Sequence, residues 1–208
     1  MKNKTSSKDK LIDAAVMHLN SEGLNSFTAT TITKSASLGY GTFYKYFSST
    51  EDLLEAAIRK NVLSIALKIE KLNSTEENKI IAFMQAIYIV FTDLCHSPTS
   101  AWLSSKPDYF VEIAYELTHK LAKKDFEFSI KNHKFRKDYL KNFDIKFKLI
   151  IWQLCGAFRL VSEGENYHDV AYELMRESIP VETTEAEVDE IIKLIMDRHK
   201  VKLQQEYK

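Results

Sequence analysis

The sequence predicts an all-α protein, with a small N-terminal head of three helices joined by a long fourth helix to a larger helical body. Three observations predict it. Glycine and proline are scarce, 5 and 3 in 208 residues, while 28% of residues are charged and 45% hydrophobic. Strand-rich chains need more turn punctuation than this. Apolar residues recur at helical spacing along most of the chain. The stretch Thr28 to Phe47, TATTITKSASLGYGTFYKYF, reads as two short helices around a tight turn, and the length is ample for a real core.

Met1 to Ser7 is a lysine- and serine-bearing arm, either a plain tail or an electrostatic aid to docking on phosphates. The first helix is expected over Lys8 to Glu22, with Leu11, Ala14, Ala15, His18 and Leu19 inward and Gly23 as its C-cap. Phe27 packs beneath the second helix, which Thr28 caps and which turns Ala29, Ile32 and Ala36 inward. Leu38 must be buried in the turn. Gly39 and Gly41 mark backbone that is sharply bent or closely approached. From Gly39 to Phe47, Phe43 and Phe47 form a core face and leave Tyr40, Thr42, Lys45 and Tyr46 pointing elsewhere, with Tyr44 at the margin. Ser48 to Asp52 is a cap with acidic first-turn residues, opening a fourth helix to about Lys71.

Asn73-Ser74 breaks that pattern, and Ser74 to Glu77 has capping-box spacing for a broadly apolar helix to about His96. A short helix over Ser97 to Ser105 carries Trp102 and Leu103. Pro107 opens another to about Lys131, with Tyr109, Phe110, Ile113, Ala114, Leu117, Leu121 and Phe128 inward. Lys131 to Lys148 is rich in lysine and aromatic residues and reads as a solvated loop and helix start. Phe143 to Glu163 is the most apolar helix, with Gly164 as its stop. There Trp152, Gly156 and Leu160 make one stripe flanked by Leu149, Gln153 and Ala157. A helix over Tyr167 to Glu177 follows, and a capping box at Thr184 to Glu187 opens a last one to about Gln204. On it Val188, Ile191, Ile192, Ile195 and His199 share a side. The expected division is a head of residues 1–50 and a body of residues 51–208.

Exposed Tyr, Thr and Lys on a short helix beside glycines suit a helix-turn-helix, because the major groove admits a helix and offers phosphates and base edges to such side chains. Two short helices and a turn also occur in helical proteins that never touch DNA. The zero formal net charge is unevenly spread: residues 1–50 hold six lysines against three acids, a local balance of +3. The basic character sits at the end that would meet phosphates.

With its flanks, LIDAAVMHLNSEGLNSFTATTITKSASLGYGTFYKYFSSTEDLL resembles the DNA-binding domain of the TetR family of bacterial transcriptional regulators. Ala14, Ala15, Leu19, Gly23, Thr28, Ile32, Ala36 and Leu38 carry the resemblance, followed by Gly41 to Tyr44, Tyr46, Phe47, Glu51, Leu53 and Leu54. It covers about the first quarter of the chain. Departures are informative. Ser37 stands where the family favours Gly, and Gly39 where it favours a capping Ser, a loss of roughly a few tenths of a kcal/mol. Tyr40 and Thr50 replace frequent lysines, and His18 a Leu. DNA affinity should therefore lean on Lys45, Lys34 and the N-terminal lysines.

What the resemblance implies is a dimeric transcriptional repressor released from double-stranded operator DNA by a small-molecule effector. Thr28, Lys34, Tyr40, Thr42, Tyr44, Lys45 and Tyr46 are the expected DNA contacts, Tyr44 and Thr28 to phosphate and Tyr40, Thr42 and Lys45 nearest the bases. A four-helix bundle of Phe143–Glu163 and Thr184–Gln204 from each subunit would form the homodimer. Ligand-wall candidates are Tyr88, Phe91, Trp102, Tyr109, Phe110, Phe126, Trp152, Cys155 and Phe158, suiting a flat or greasy, largely neutral molecule. The plain reading of each is core packing.

Alternatives from other classes are a metal- or haem-responsive regulator and a helical adaptor that binds protein instead of DNA. The six histidines lack HxxxH spacing, so no metal and no cofactor are expected. Cys95 and Cys155 stand in apolar settings as free thiols of a reducing compartment. No GxSxG, HExxH or phosphate-cradling glycine loop is present, which argues against an enzyme. The polar N-terminus and the short run Leu149 to Phe158 predict a cytoplasmic protein with no membrane partner.

Overall fold

The computed structural model describes residues 6–96, 106–132, 140–178 and 184–206, apart from the side chains of residues 129, 132 and 200–206. The described residues are helical and contain no strand. The arm at residues 1–5, the short helix expected at Ser97–Ser105 with Trp102, and residues 133–139 of the lysine-rich segment lie outside them.

The head consists of α1 (Ser7–Glu22), α2 (Ala29–Ser35) and α3 (Tyr40–Phe43). Ser6 caps α1 in a capping box with Asp9, and Gly23 ends it at φ 62°. Thr28 caps α2, its Oγ1 accepting from the Thr31 amide at 3.1 Å. His18 is half-buried rather than deep in the core. Its Nε2 donates to the Asn25 carbonyl at 2.7 Å, with the ring edge-on to Phe27.

The turn between α2 and α3 corrects the expectation for the glycines. The Leu38 amide donates to the Thr33 carbonyl at 2.9 Å and the Ser37 amide to the Lys34 carbonyl at 3.1 Å, with Ser37 at φ 54°. This is the doubly bonded helix stop that usually puts glycine in the left-handed position. Gly39 has an ordinary φ of −71°. A Cβ added at Gly39 or Gly41 would meet nothing within 4 Å, so neither glycine is required by the chain's own packing.

The long helix α4 (Thr50–Ser74) is capped by Ser49, whose Oγ accepts from the Asp52 amide. Its Leu53, Leu54, Ala57 and Ile58 close the head's core against Leu11, Leu19, Ile32 and Phe43. The body adds α5 (Lys79–His96), α6 (Pro107–Asn132), α7 (Phe143–Ser162), α8 (Tyr167–Glu177) and α9 (Glu185–Glu206). The expected cap at Ser74 is not formed: Ser74 lies in α4, its hydroxyl donating to the Lys71 carbonyl. Asn78 caps α5 instead, its Oδ1 accepting from the Ile80 amide at 3.0 Å. Thr184 and Glu187 cap α9 reciprocally, as the spacing predicts.

On α6, Phe128 and Leu121 are exposed and Phe126 is buried, reversing the expected inward set at that end. Phe126 meets Phe83 at 4.9 Å and Phe143 at 5.4 Å, edge to face. On α9, Arg198 pairs with Glu76 at 2.8 Å, and buried His199 meets Gln85 Oε1 at 3.2 Å. Among the described residues α5 is long and apolar enough to cross a membrane. Its Met84, Tyr88 and Phe91 are fully buried between the body's other helices, as a core helix requires.

Candidate nucleic-acid interface and cavity

The outer edge of the head is built by α3 and the turn after it. The sequence suggests a helix over Gly39 to Phe47, whereas α3 itself is only Tyr40–Phe43. Tighter bonds close both sides: the Thr42 amide to the Gly39 carbonyl at 2.8 Å, and the Tyr46 amide to the Phe43 carbonyl at 2.9 Å. Phe43 and Phe47 are buried. That anchors the segment and turns Tyr40, Tyr44 and Tyr46 outward, 53%, 55% and 43% exposed.

Tyr40 and Tyr44 hold each other, with hydroxyls 2.9 Å apart and rings edge-on at 5.3 Å. The bond to Tyr40 pushes the Tyr44 phenol up, which keeps Tyr44 neutral and able to donate. Lys34, Lys45 and Thr28 are exposed and Thr42 half-exposed on the same small domain. The arrangement brings the seven candidates onto one unit.

Within the body lies a cavity of about 850 Å³ walled by α4, α5, α6 and α7. Ile58, Val62, Ile65 and Ile69 of α4 face it, as do Ala82, Phe83, Ala86 and Val90 of α5. Ala114, Thr118 and Ala122 of α6 and Ile150 and Leu154 of α7 complete the wall. One end reaches the head, where Asn20 of α1 and Asn61 of α4 line it and lie 3.4 Å apart. The other is polar, with Glu70, Asn73, Lys79 and Asp125.

Of the ligand-wall candidates, Phe110 and Phe126 line this cavity. Tyr88 and Phe91 are buried elsewhere, Tyr88 near His199 and Phe91 stacked on Tyr167 at 5.3 Å. Tyr109 is half-buried; burial pushes its phenol up and Glu55 adds to the shift. Phe158 is core. Burial pushes the half-buried Cys155 and Cys95 thiols up to about 11 and about 12, which leaves both protonated at neutral pH. Among the described residues no three His, Cys, Asp or Glu side chains converge to hold a metal.

Sequence reasoning passed over the α4 face Val62, Ile65 and Ile69, because a stripe lining a hollow has the same spacing as one packed in a core. It also passed over Arg59, which donates to Glu55 at 3.0 Å within α4 and to Glu116 of α6 at 2.8 Å. Trp152 of α7 is 41% exposed, beside Leu149 at 56% and Leu160 at 47%. Gly156 between them has open space at its Cβ position. The stripe is therefore an uncovered apolar surface of the single chain.

Residues 11–57 match the family described as bacterial regulatory proteins, tetR family. No curated protein sequence matches the chain. Among solved structures, RolR in complex with the ligand resorcinol is similar, with 18% identity and a TM-score of 0.72 over 89% of this chain and 92% of that one. The fatty acid degradation regulator FadR from Bacillus halodurans is 17% identical, with a TM-score of 0.62 over 86% and 97%. A gamma-butyrolactone receptor described as ArpA-like is 18% identical, with a TM-score of 0.52 over 92% and 97%. At these identities the structures share the fold, head and body alike.

Proposed function

From a chain whose N-terminal domain belongs to the tetR family of bacterial regulatory proteins, we infer a dimeric repressor that leaves its operator when a small, largely apolar or aromatic molecule enters the body. The observation that carries this reading is that one helix does two things. The first turns of α4 close the head's core, and its later turns wall the cavity. An occupant that displaces the far half of α4 must move the near half and the head with it, because packed helices shift as units.

The exposed tyrosines and lysines of the head supply the DNA side. In this reading Tyr40, Thr42 and Lys45 meet base edges and Thr28 and Tyr44 meet phosphates, with Lys34 and Tyr46 as further DNA contacts, the division that groove recognition uses. A head this small reads few bases. Two heads about one helical turn of DNA apart, roughly 34 Å, would read a two-part operator. The uncovered stripe Leu149, Trp152, Gly156 and Leu160 on α7, with exposed Leu194 on α9, supports α7 and α9 as the pairing face: small Gly156 at the centre of the stripe lets two helices approach closely. RolR and the gamma-butyrolactone receptor, which share the fold, are described with a ligand or as a receptor. That supports an effector role for the body here.

The test is a DNA-binding titration with the region upstream of the protein's own coding sequence across a salt series. A sequence-specific complex whose affinity falls steeply with salt is expected. No shift at any salt concentration would sink the repressor reading.

A further inference from the structure

Two phenols at the edge of the head are built as one device, which bears on how the head meets DNA if it does so as read above. Tyr40 opens α3 and Tyr44 ends it, four positions apart and so on one side of the turn. Tyr44 is held from beneath: its ring lies edge-on to that of buried Phe43 at 5.1 Å, and Phe43 meets buried Phe47 at 5.9 Å. Tyr40 is held by Tyr44, through ring edges at 5.3 Å and hydroxyls 2.9 Å apart. An aromatic chain thus runs from the head's core to its surface and fixes two exposed hydroxyls before any partner arrives.

Hydroxyls this close cannot make separate contacts on a duplex. The floor of the major groove lies about 8.5 Å below its rim, and successive phosphates of one strand rise by about 3.4 Å. Two oxygens 2.9 Å apart therefore span neither a phosphate and a base edge nor two phosphates. Whichever phenol donates within the pair, one O–H is used internally and a single proton faces outward. The upward push on the Tyr44 phenol fits a proton held inside the pair. A lone O–H does not tell guanine N7 from adenine N7 or thymine O4, so at a base edge it would carry little sequence information. To an ionised phosphate oxygen it makes a bond roughly twice as strong as a neutral one.

We propose that Tyr40 and Tyr44 act together as one neutral donor to a single phosphate of the duplex, leaving the ring of Tyr40, not its hydroxyl, for base edges. Each phenol is the positioning residue of the other. Since no cation is involved, the contact adds affinity without adding to the salt dependence. That sets it apart from the exposed lysines Lys34 and Lys45.

Fluorescence anisotropy across a salt series tests this on the full chain, with a duplex from upstream of its own coding sequence and a random-sequence duplex of equal length. Tyr40→Phe and Tyr44→Phe should each weaken binding to both duplexes about ten-fold, and the double change about ten-fold again in total rather than a hundred-fold. The salt slope should stay the same in all three. Tyr40→Lys, which brings an ammonium to that phosphate, should steepen it by about 0.9. In the protein without DNA, carbon NMR of the tyrosine rings should show Tyr44 titrating above the ordinary phenol value, and falling back toward it in Tyr40→Phe. Thermal midpoints should not move, because both side chains are exposed.

A hundred-fold loss in the double change would mean two separate contacts and overturn the proposal. So would a loss confined to the upstream duplex, a salt slope unmoved by Tyr40→Lys, or an ordinary titration of Tyr44. If the unaltered protein binds neither duplex at any salt concentration, the repressor reading falls and the proposal with it, a result distinct from additive losses on a duplex that is bound.

Discussion

The head and the body handle apolar surface in opposite ways. In the head, Leu11, Leu19, Ile32, Phe43 and Leu53 are fully buried. What remains outside is mostly polar-tipped, with phenols, hydroxyls and ammonium groups beside the exposed Met17 and Leu24. The body leaves a hollow of about 850 Å³ inside and an apolar stripe on α7 outside. A filled domain presents a fixed surface; a hollow one has two places where something else must complete it. On the proposed function, the difference teaches that rigidity goes with the surface that would read bases and incompleteness with the part that would receive a signal.

The largest expected effect comes from covering the stripe with charge. Leu149→Glu combined with Trp152→Glu should give a single-subunit mass in sedimentation equilibrium. Losing the paired head removes an effective-concentration gain of about a hundred- to ten-thousand-fold in operator affinity. A dimer that survives both changes would show that the uncovered face does not pair. Next is the head's own closure. Phe43→Ala should cost about 3–5 kcal/mol in urea unfolding, since it empties a fully buried ring site. A loss below about 1 kcal/mol would mean that the head is looser than its burial implies.

How much of this was legible beforehand follows from the same contrast. In the head, local chemistry decides: Thr28 and Gly23 cap as their residue types dictate, and Phe43 and Phe47 sit four apart on a face with only one place to go. In the body, periodicity identifies which face is apolar but not what covers it. Val62, Ile65 and Ile69 have the same helical spacing as core residues, yet they line a cavity. Phe126 and Phe128 differ by two positions on α6, and aromatic partners on α5 and α7 decide which is buried. The Ser74 box lost to Asn78 because α4 continues through Ser74. Such outcomes depend on tertiary packing, which short-range patterns do not encode.

Smaller changes sharpen the comparison. Lys45→Ala should weaken DNA binding at every sequence and reduce the salt slope by about 1 if the ammonium meets phosphate, or relax specificity if it meets a base. Thermal unfolding should be unchanged, because Lys45 is exposed. In the body, burial raises Glu76, but the bond from Arg198, the Asn78 amide and Lys79 bring it below its ordinary value overall. A depressed folded value means that this stability is present above the ordinary carboxylate range and is lost as pH falls below about 4. Urea midpoints should therefore drop on acidification, and less so in Arg198→Ala, whose Glu76 has no such bond to lose.

The smallest effect concerns the turn between α2 and α3. Ser37 holds φ 54°, where a side chain is disfavoured by roughly 1–2 kcal/mol. The bonds from Ser37 to Lys34 and from Leu38 to Thr33 require that conformation whichever residue occupies it. Ser37→Gly removes the steric cost but adds freedom to the unfolded chain, a partly cancelling term. The expected net is a gain of about 0.5–1 kcal/mol in urea unfolding, with α3 held at the same angle and operator affinity unchanged. Should affinity shift while stability rises, the head's surface is tuned by strain at this turn, and its contrast with the hollow body would be one of degree.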